Sequence, residues 1–268
     1  MKNIMIIIML SLVCLFFSGC SFYISVGKYS DSDKYLVGDQ EYSGELVELD
    51  IDWVSGTVEL IEDSSAEAIT LKEETDYEAE ELKVRSYFSD GKLLIKFGKS
   101  GYRGKVGLGQ RKYLEIRYKD VSKIKVNLTS GSLKAESITC DSLDLDMTSG
   151  EVVINKLSCD SAEIDLSSGK VNIEELVCNN LDCDMTSGKC VISVKTLKEG
   201  SFDMTSGRVT LTIPSTFATK VKFAKTTGRL KTDKTFTRVA NEYIFGDIGS
   251  EVESNIKVNI TSGTFEIK

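Results

Sequence analysis

The sequence predicts an all-β solenoid, a single-stranded β-helix with about three short strands in each 19-residue coil. Three observations carry this expectation. A Ser-Gly corner recurs at a constant interval, apolar residues stand at fixed alternate offsets around it, and helix-like periodicity is nearly absent from a chain with a single proline, Pro214. A repeat of this length that carries one apolar pattern reads as stacked supersecondary units, none of which can bury its inner face alone.

The corners are Thr129-Ser130-Gly131, Thr148-Ser149-Gly150, Ser167-Ser168-Gly169, Thr186-Ser187-Gly188 and Thr205-Ser206-Gly207, each 19 residues from the next. Two and four residues after each Gly stand pairs such as Val152 and Ile154 or Val171 and Ile173. Seven and nine after stand Ile138 and Cys140, Leu157 and Cys159, Leu176 and Cys178. Five and three before stand Leu145 and Met147, Ile164 and Leu166, Phe202 and Met204. Spacing by two is the period of a strand that shows one face inward. The Gly belongs at a corner, where positive φ or close backbone approach excludes a Cβ.

The same inward positions recur in Ile51–Leu60, in Val258–Ile267 and, more loosely, in Phe223–Gly228, where Lys225 takes an apolar slot. Between Gly56 and Gly131 the interval is lost. Strands are expected there over Ala68–Glu73, Leu82–Ser89, Lys92–Phe97 and Lys112–Tyr118, with a hairpin at Ser89-Asp90-Gly91. The expected organisation is a signal over 1–19, a tether over 20–45 and a body over 46–268. Within the body, 61–125 forms irregular coils or a cap, 126–213 the regular repeats and 214–268 the terminal coils.

Met1-Lys2-Asn3 and the apolar run Ile4 to Phe17 read as a secretory signal, too short to span a membrane. It ends Phe17-Ser18-Gly19-Cys20, which resembles a bacterial lipoprotein cleavage box. That resemblance implies lipidation of Cys20 and a place on the bacterial cell membrane, facing outside the cytoplasm. Phe17 departs from the Leu usual there. The Ser/Asp/Gly/Tyr-rich stretch to Glu45 reads as a tether.

The chain carries 33 basic and 41 acidic side chains. Removing residues 1–19 takes away Lys2 and no acid, so the net charge moves from −8 to −9. This argues against nucleic acid or an anionic lipid surface as the main partner. Of seven cysteines, Cys140, Cys159, Cys178, Cys183 and Cys190 all replace apolar residues at inward positions, which reads as buried thiols acting as small hydrophobes. One bridge along Cys140, Cys159 and Cys178 stays within disulfide reach. The absence of histidine removes His-based acid–base and nucleophilic catalysis. No enzyme is expected, and no cofactor beyond weak calcium.

One outward pattern carries chemistry. Asn127, Asp146, Asp165, Asp184 and Asp203 stand four residues before successive Gly corners, and Lys125, Asp144, Glu163, Asp182 and Ser201 stand six before. Stacked like charges destabilise neighbouring strands. Asp144, Asp146, Glu163, Asp165, Asp182, Asp184 and Asp203 are therefore candidates for a cation-attracting face, since calcium takes several oxygen ligands. The alternative is local: each Asp accepts backbone N–H bonds at its corner and keeps the surface soluble. A second outward column, Glu151, Lys170, Lys189 and Arg208, is mostly basic.

The run from Tyr113-Leu114-Glu115-Ile116 through Lys123–Gly131 and the repeats resembles a widespread bacterial family of adhesin-like surface domains of unknown function. Val209–Pro214, Lys225–Leu230 and Ile256–Gly263 match its style, so the resemblance covers most of residues 46–268. It implies a right-handed β-solenoid on the cell envelope and supplies no functional residues. The expected function is a non-enzymatic adhesion-type module that presents the acidic face to an unknown surface ligand. The alternative is a structural or stress-regulatory envelope protein with a membrane-protein partner.

Overall fold

The computed structural model describes residues 22–107, 109–215, 218–240, 242–246 and 254–268. Among these the chain is β throughout apart from one short 3-10 turn at Glu80–Leu82, and twenty-one strands join in one sheet that winds into a solenoid. No helix among them is long and apolar enough to cross a membrane.

Each regular coil runs up one face, turns at the Ser-Gly corner and returns along the opposite face. Glu151–Leu166, Lys170–Met185 and Lys189–Met204 are continuous strands that bend around the edge and pair in parallel, mostly residue for residue at the repeat interval. One bulge breaks this register between Ile173 and Val177. The inward residues alternate with exposed ones as the sequence pattern demands: Leu145, Ile164, Cys183 and Phe202 stack inside one face, and Val152, Val171, Cys190 and Val209 inside the other, all essentially buried. Burying a side chain of this size contributes about 1.5–3 kcal/mol, and it does so only because the coil above and below covers it.

Gly150 illustrates the corner. Its φ is +118°, and a Cβ there would lie 2.0 Å from the Gly131 carbonyl oxygen. The corner N–H groups bond to the preceding coil, as in Lys170 to Gly150 at 3.0 Å and Lys189 to Gly169 at 2.9 Å.

The layers do not follow chain order at either end. Glu48–Trp53 lies between Lys92–Lys96 and Lys123–Leu128, and Thr57–Glu62 between Lys112–Tyr118 and Ser132–Thr139. At the other end Ser254–Ile260 lies between Lys189–Met204 and Thr219–Lys225, and Thr264–Ile267 between Arg208–Thr212 and Arg229–Thr232. The strands Ile69–Thr75, Arg85–Ser89, Lys92–Lys96 and Lys112–Tyr118 fall close to their expected places. Asp90 and Gly91, with φ of 51° and 75°, make the two-residue turn of the Arg85–Ser89/Lys92–Lys96 hairpin. Lys225 is exposed at the outer rim rather than forced into the core.

One expectation needs correction. Residues 22–45 are not a free tether. Phe22–Ser25 pairs with Arg103–Val106, Leu36–Val37 with Arg85–Ser86, and Gln40–Tyr42 with Ile69–Leu71, while Ile24, Val26 and Tyr35 are buried. Ile24 and Val26 already carry the period of two, which the polar composition of the segment masks. The expected signal over 1–19 and the lipidation site Cys20 lie outside the described residues.

Candidate functional site

The face that precedes the Ser-Gly corner, here called the front face, sets its outward side chains in columns because its strands stack in register. The first column runs Lys96, Asp52, Asn127, Asp146, Asp165, Asp184, Asp203, Asn259 and Ala224. Its two ends are bonded within the protein. Lys96 Nζ bonds to Asp52 at 2.5 Å, Asn127 Nδ2 donates to Asp52 Oδ1 at 2.6 Å, and Asn259 Nδ2 donates to Asp203 Oδ1 at 2.7 Å. Asp146, Asp165 and Asp184, between them, have no hydrogen-bond or ion-pair partner among the described residues.

The second column runs Asp50, Lys125, Asp144, Glu163, Asp182, Ser201, Lys257 and Lys222. Lys125 Nζ holds Asp144 at 2.7 Å, and Lys92 holds Glu48 at 2.9 Å and Asp50 at 3.5 Å. Glu163 and Asp182 have no such partner among the described residues. All seven sequence-identified acids therefore share one face, yet Asp144 and Asp203 are bonded within the protein and the other five are open to solvent.

The local alternative for the Asp column finds no support in the hydrogen bonding. The N–H groups of Thr148, Ser167, Thr186 and Thr205 bond to the carbonyls of Leu128, Met147, Leu166 and Met185 at 2.8–2.9 Å. Coil-to-coil pairing consumes the donors that a corner carboxylate would have used. The consequence is electrostatic. Partial burial and the stacked carboxylates Asp146, Asp144 and Asp182 raise the pKa of Asp165, and partial burial with Asp182, Asp203 and Asp165 raises that of Asp184.

Asp146, Asp165, Asp184 and Asp203 line a groove of about 740 Å³ with the hydroxyls of Ser167, Thr186 and Thr205. The segments Ala224–Thr226 and Asn259–Thr261 close one end, so the Lys225 side chain borders the same groove. Among the described residues no three His, Cys, Asp or Glu side chains are grouped to hold a metal ion. Carboxylates set one per strand, about 4.8 Å apart, point alongside one another and do not converge on a point. An ion here would have to complete its shell with water or with a ligand's oxygens.

On the opposite face Glu151, Lys170, Lys189 and Arg208 form the expected outward column, with Glu151 and Lys170 paired at 2.6 Å. Three cysteines, Cys140, Cys159 and Cys178, line the far edge, and all five body cysteines are buried free thiols.

Sequence reasoning missed Asp52, Lys96 and Asn259 as members of the front face. The signal existed in part: Asp52 stands four residues before Gly56, the offset of every acid in the column. Lys96 gave none, because its strand is a hairpin arm outside the repeats that stacks on Glu48–Trp53.

The profile of one known family matches residues 75–268, the stretch that holds the repeated corners. The chain belongs to the Toastrack DUF4097 family. The matched part of this Toastrack chain holds the whole regular solenoid and both closing strands, while the sandwiched coil 48–62 precedes it. Among solved structures, a provisionally named adhesin of Bacteroides fragilis shares the fold at 12% identity and a TM-score of 0.50, covering 87% of this chain and 97% of its own. A provisionally named cell adhesion protein of Clostridium sporogenes aligns at 17% identity and a TM-score of 0.39, over 87% and 99%. A provisionally named lipid-binding protein of Parabacteroides distasonis aligns at 13% identity and 0.41, over 86% and 96%. No curated protein matches the Toastrack chain.

Proposed function

We propose that this chain is a non-enzymatic, adhesion-type module of the cell surface, held to the membrane through a lipid on Cys20, that binds its ligand through the acidic front face. The observation that carries the reading is the run Asp146, Asp165 and Asp184, in register and unpartnered, with Glu163 and Asp182 beside it. Such a row costs folding energy through like-charge stacking, and a ligand that brings positive charge recovers it. The ligand is therefore a cationic surface, or an anionic one bridged by calcium whose shell the groove fills only in part. The adhesin name provisionally given to the Bacteroides fragilis structure, which shares the fold, points the same way.

The test compares the wild type with a variant carrying Asn at 146, 165, 184 and 203, by calorimetric calcium titration and by attachment of cells that display each form. Saturable binding and attachment that both fall in the variant, whose melting temperature stays equal or rises, are the expected results. Unchanged attachment would move the function to another surface and to a membrane-protein partner.

A further inference from the structure

The edge of the solenoid away from the Ser-Gly corner carries a column of thiols on three successive coils. Cys159 and Cys178 face each other in register on adjacent parallel strands, and their Sγ atoms lie 3.5 Å apart. Cys140 precedes them on the next coil, where its N–H bonds to the Ser158 carbonyl. The column lies at the surface edge of the core rather than at its centre. Cys140 and Cys159 keep 9% and 8% of their surface exposed, against 2% for Cys178. A shallow depression flanked by Asp141 and Asp160 opens over all three.

The geometry points to Cys159 and Cys178 as a thiol–disulfide site that bridges two neighbouring coils when oxidised. Strands paired at about 4.8 Å lie within the Cα range that a disulfide spans. The sulfurs need approach by only about 1.5 Å to reach bonding distance, which side-chain rotation supplies. The Cys159 S–H donates to Cys178 Sγ, which lowers the pKa of the Cys178 thiol and raises that of Cys159. Cys183 and Cys190 also touch but are fully enclosed, so no oxidant reaches them.

The oxidant is an external disulfide, either of low molecular weight or carried by a thiol oxidoreductase. The Cys178 thiolate, favoured by that hydrogen bond, attacks it through the depression, one external thiolate leaves, and a mixed disulfide remains on Cys178. Cys159 then loses its proton, attacks Cys178 Sγ and expels the second external thiolate. Two protons and two electrons leave the protein, one external disulfide becomes two thiols, and Cys140 stays reduced. The location proposed above would supply such a pool, but the chemistry does not depend on it.

The test incubates the purified full chain with oxidised glutathione, quenches with acid, alkylates after unfolding and maps the peptides without reduction. The expected product is a cross-linked pair of peptides holding Cys159 and Cys178, with Cys140, Cys183 and Cys190 alkylated. The oxidised form should melt at a higher temperature than the reduced form. Cys140→Ser should leave the cross-link intact and Cys178→Ser should abolish it. A bridge between Cys140 and Cys159, or five alkylated body thiols after incubation, overturns the proposal without need of any variant.

Discussion

Lys112 is the most constrained ionisable residue of the fold. Its side chain is fully buried, its Nζ lies 2.8 Å from the buried Glu73 carboxylate, and it donates to the carbonyl oxygens of Leu82 and Phe97. The same ammonium sits 4.1 Å from the ring centre of Phe97 and 5.0 Å from that of Trp53. Burial lowers the Lys112 pKa from 10.5 to about 8, against the opposing pull of Glu73. Between about pH 8 and 10.5 the unfolded chain therefore holds a proton that the folded one has released. Unfolding free energy should rise with pH across that window by this term and stay flat below it, as denaturant titrations at stepped pH would report. Lys112→Ala leaves the Glu73 carboxylate buried without its cation and should cost about 3–5 kcal/mol, whereas Lys112→Met with Glu73→Leu should recover most of that loss. Gly150→Ala tests a different constraint. Strain at φ +118° adds to a clash with the Gly131 carbonyl, so chemical denaturation should show a loss of about 2 kcal/mol or more. Gly38→Ala, at φ +75° with open space around it, should cost only about 1 kcal/mol.

At the scale of the strand, the front-face columns set charge against pairing. The pKa of Asp165 is raised in the folded state, so the fold binds the proton more tightly than the unfolded chain does. The penalty is complete above the raised value and vanishes below the ordinary carboxylate pKa near 3.8. Asp165→Asn should therefore stabilise the protein at neutral pH by about 0.5 kcal/mol. Thermal melts should show the gain shrinking in high salt and disappearing in acid. These columns were legible in the sequence because Asp146, Asp165 and Asp184 hold one offset from three glycines in a row, and offset fixes facing once the coils are in register. The bonding within the columns was not legible. Whether Asp203 is free or bonded depends on Asn259, which stands 56 residues away. The Glu73–Lys112 pair was equally hidden, since neither residue belongs to a repeat and nothing local marks a charge for burial. The strand at Phe22–Ser25 failed for a third reason, because four residues are too few for alternation to outweigh a polar neighbourhood.

For the whole molecule, the order of layers matters more than their number. A solenoid gains stability from contacts between adjacent layers, and near each end a strand from a distant part of the chain is inserted between two others, Glu48–Trp53 at one and Ser254–Ile260 at the other. Deleting residues 254–268 should therefore separate Lys189–Met204 from Thr219–Lys225, not merely shorten the stack. Hydrogen exchange should show protection lost over 219–232 and weakened over 199–212, with 151–185 unchanged. Uniform protection across all of these segments would mean that the outer strands can dock directly on the regular coils. The Ser-Gly interval announced the coils, but at the terminal sites it could not announce their neighbours, because Gly56 and Gly263 carry the corner without the spacing.

The sandwiched last strand has a mechanical side. Thr264–Ile267 is bonded along its length to Arg208–Leu211 on one flank and to Arg229–Thr232 on the other. Tension on Lys268 directed along that strand would load both ladders at once, in shear, rather than unzip an exposed rim bond by bond. A strand held on both flanks resists being peeled from its end.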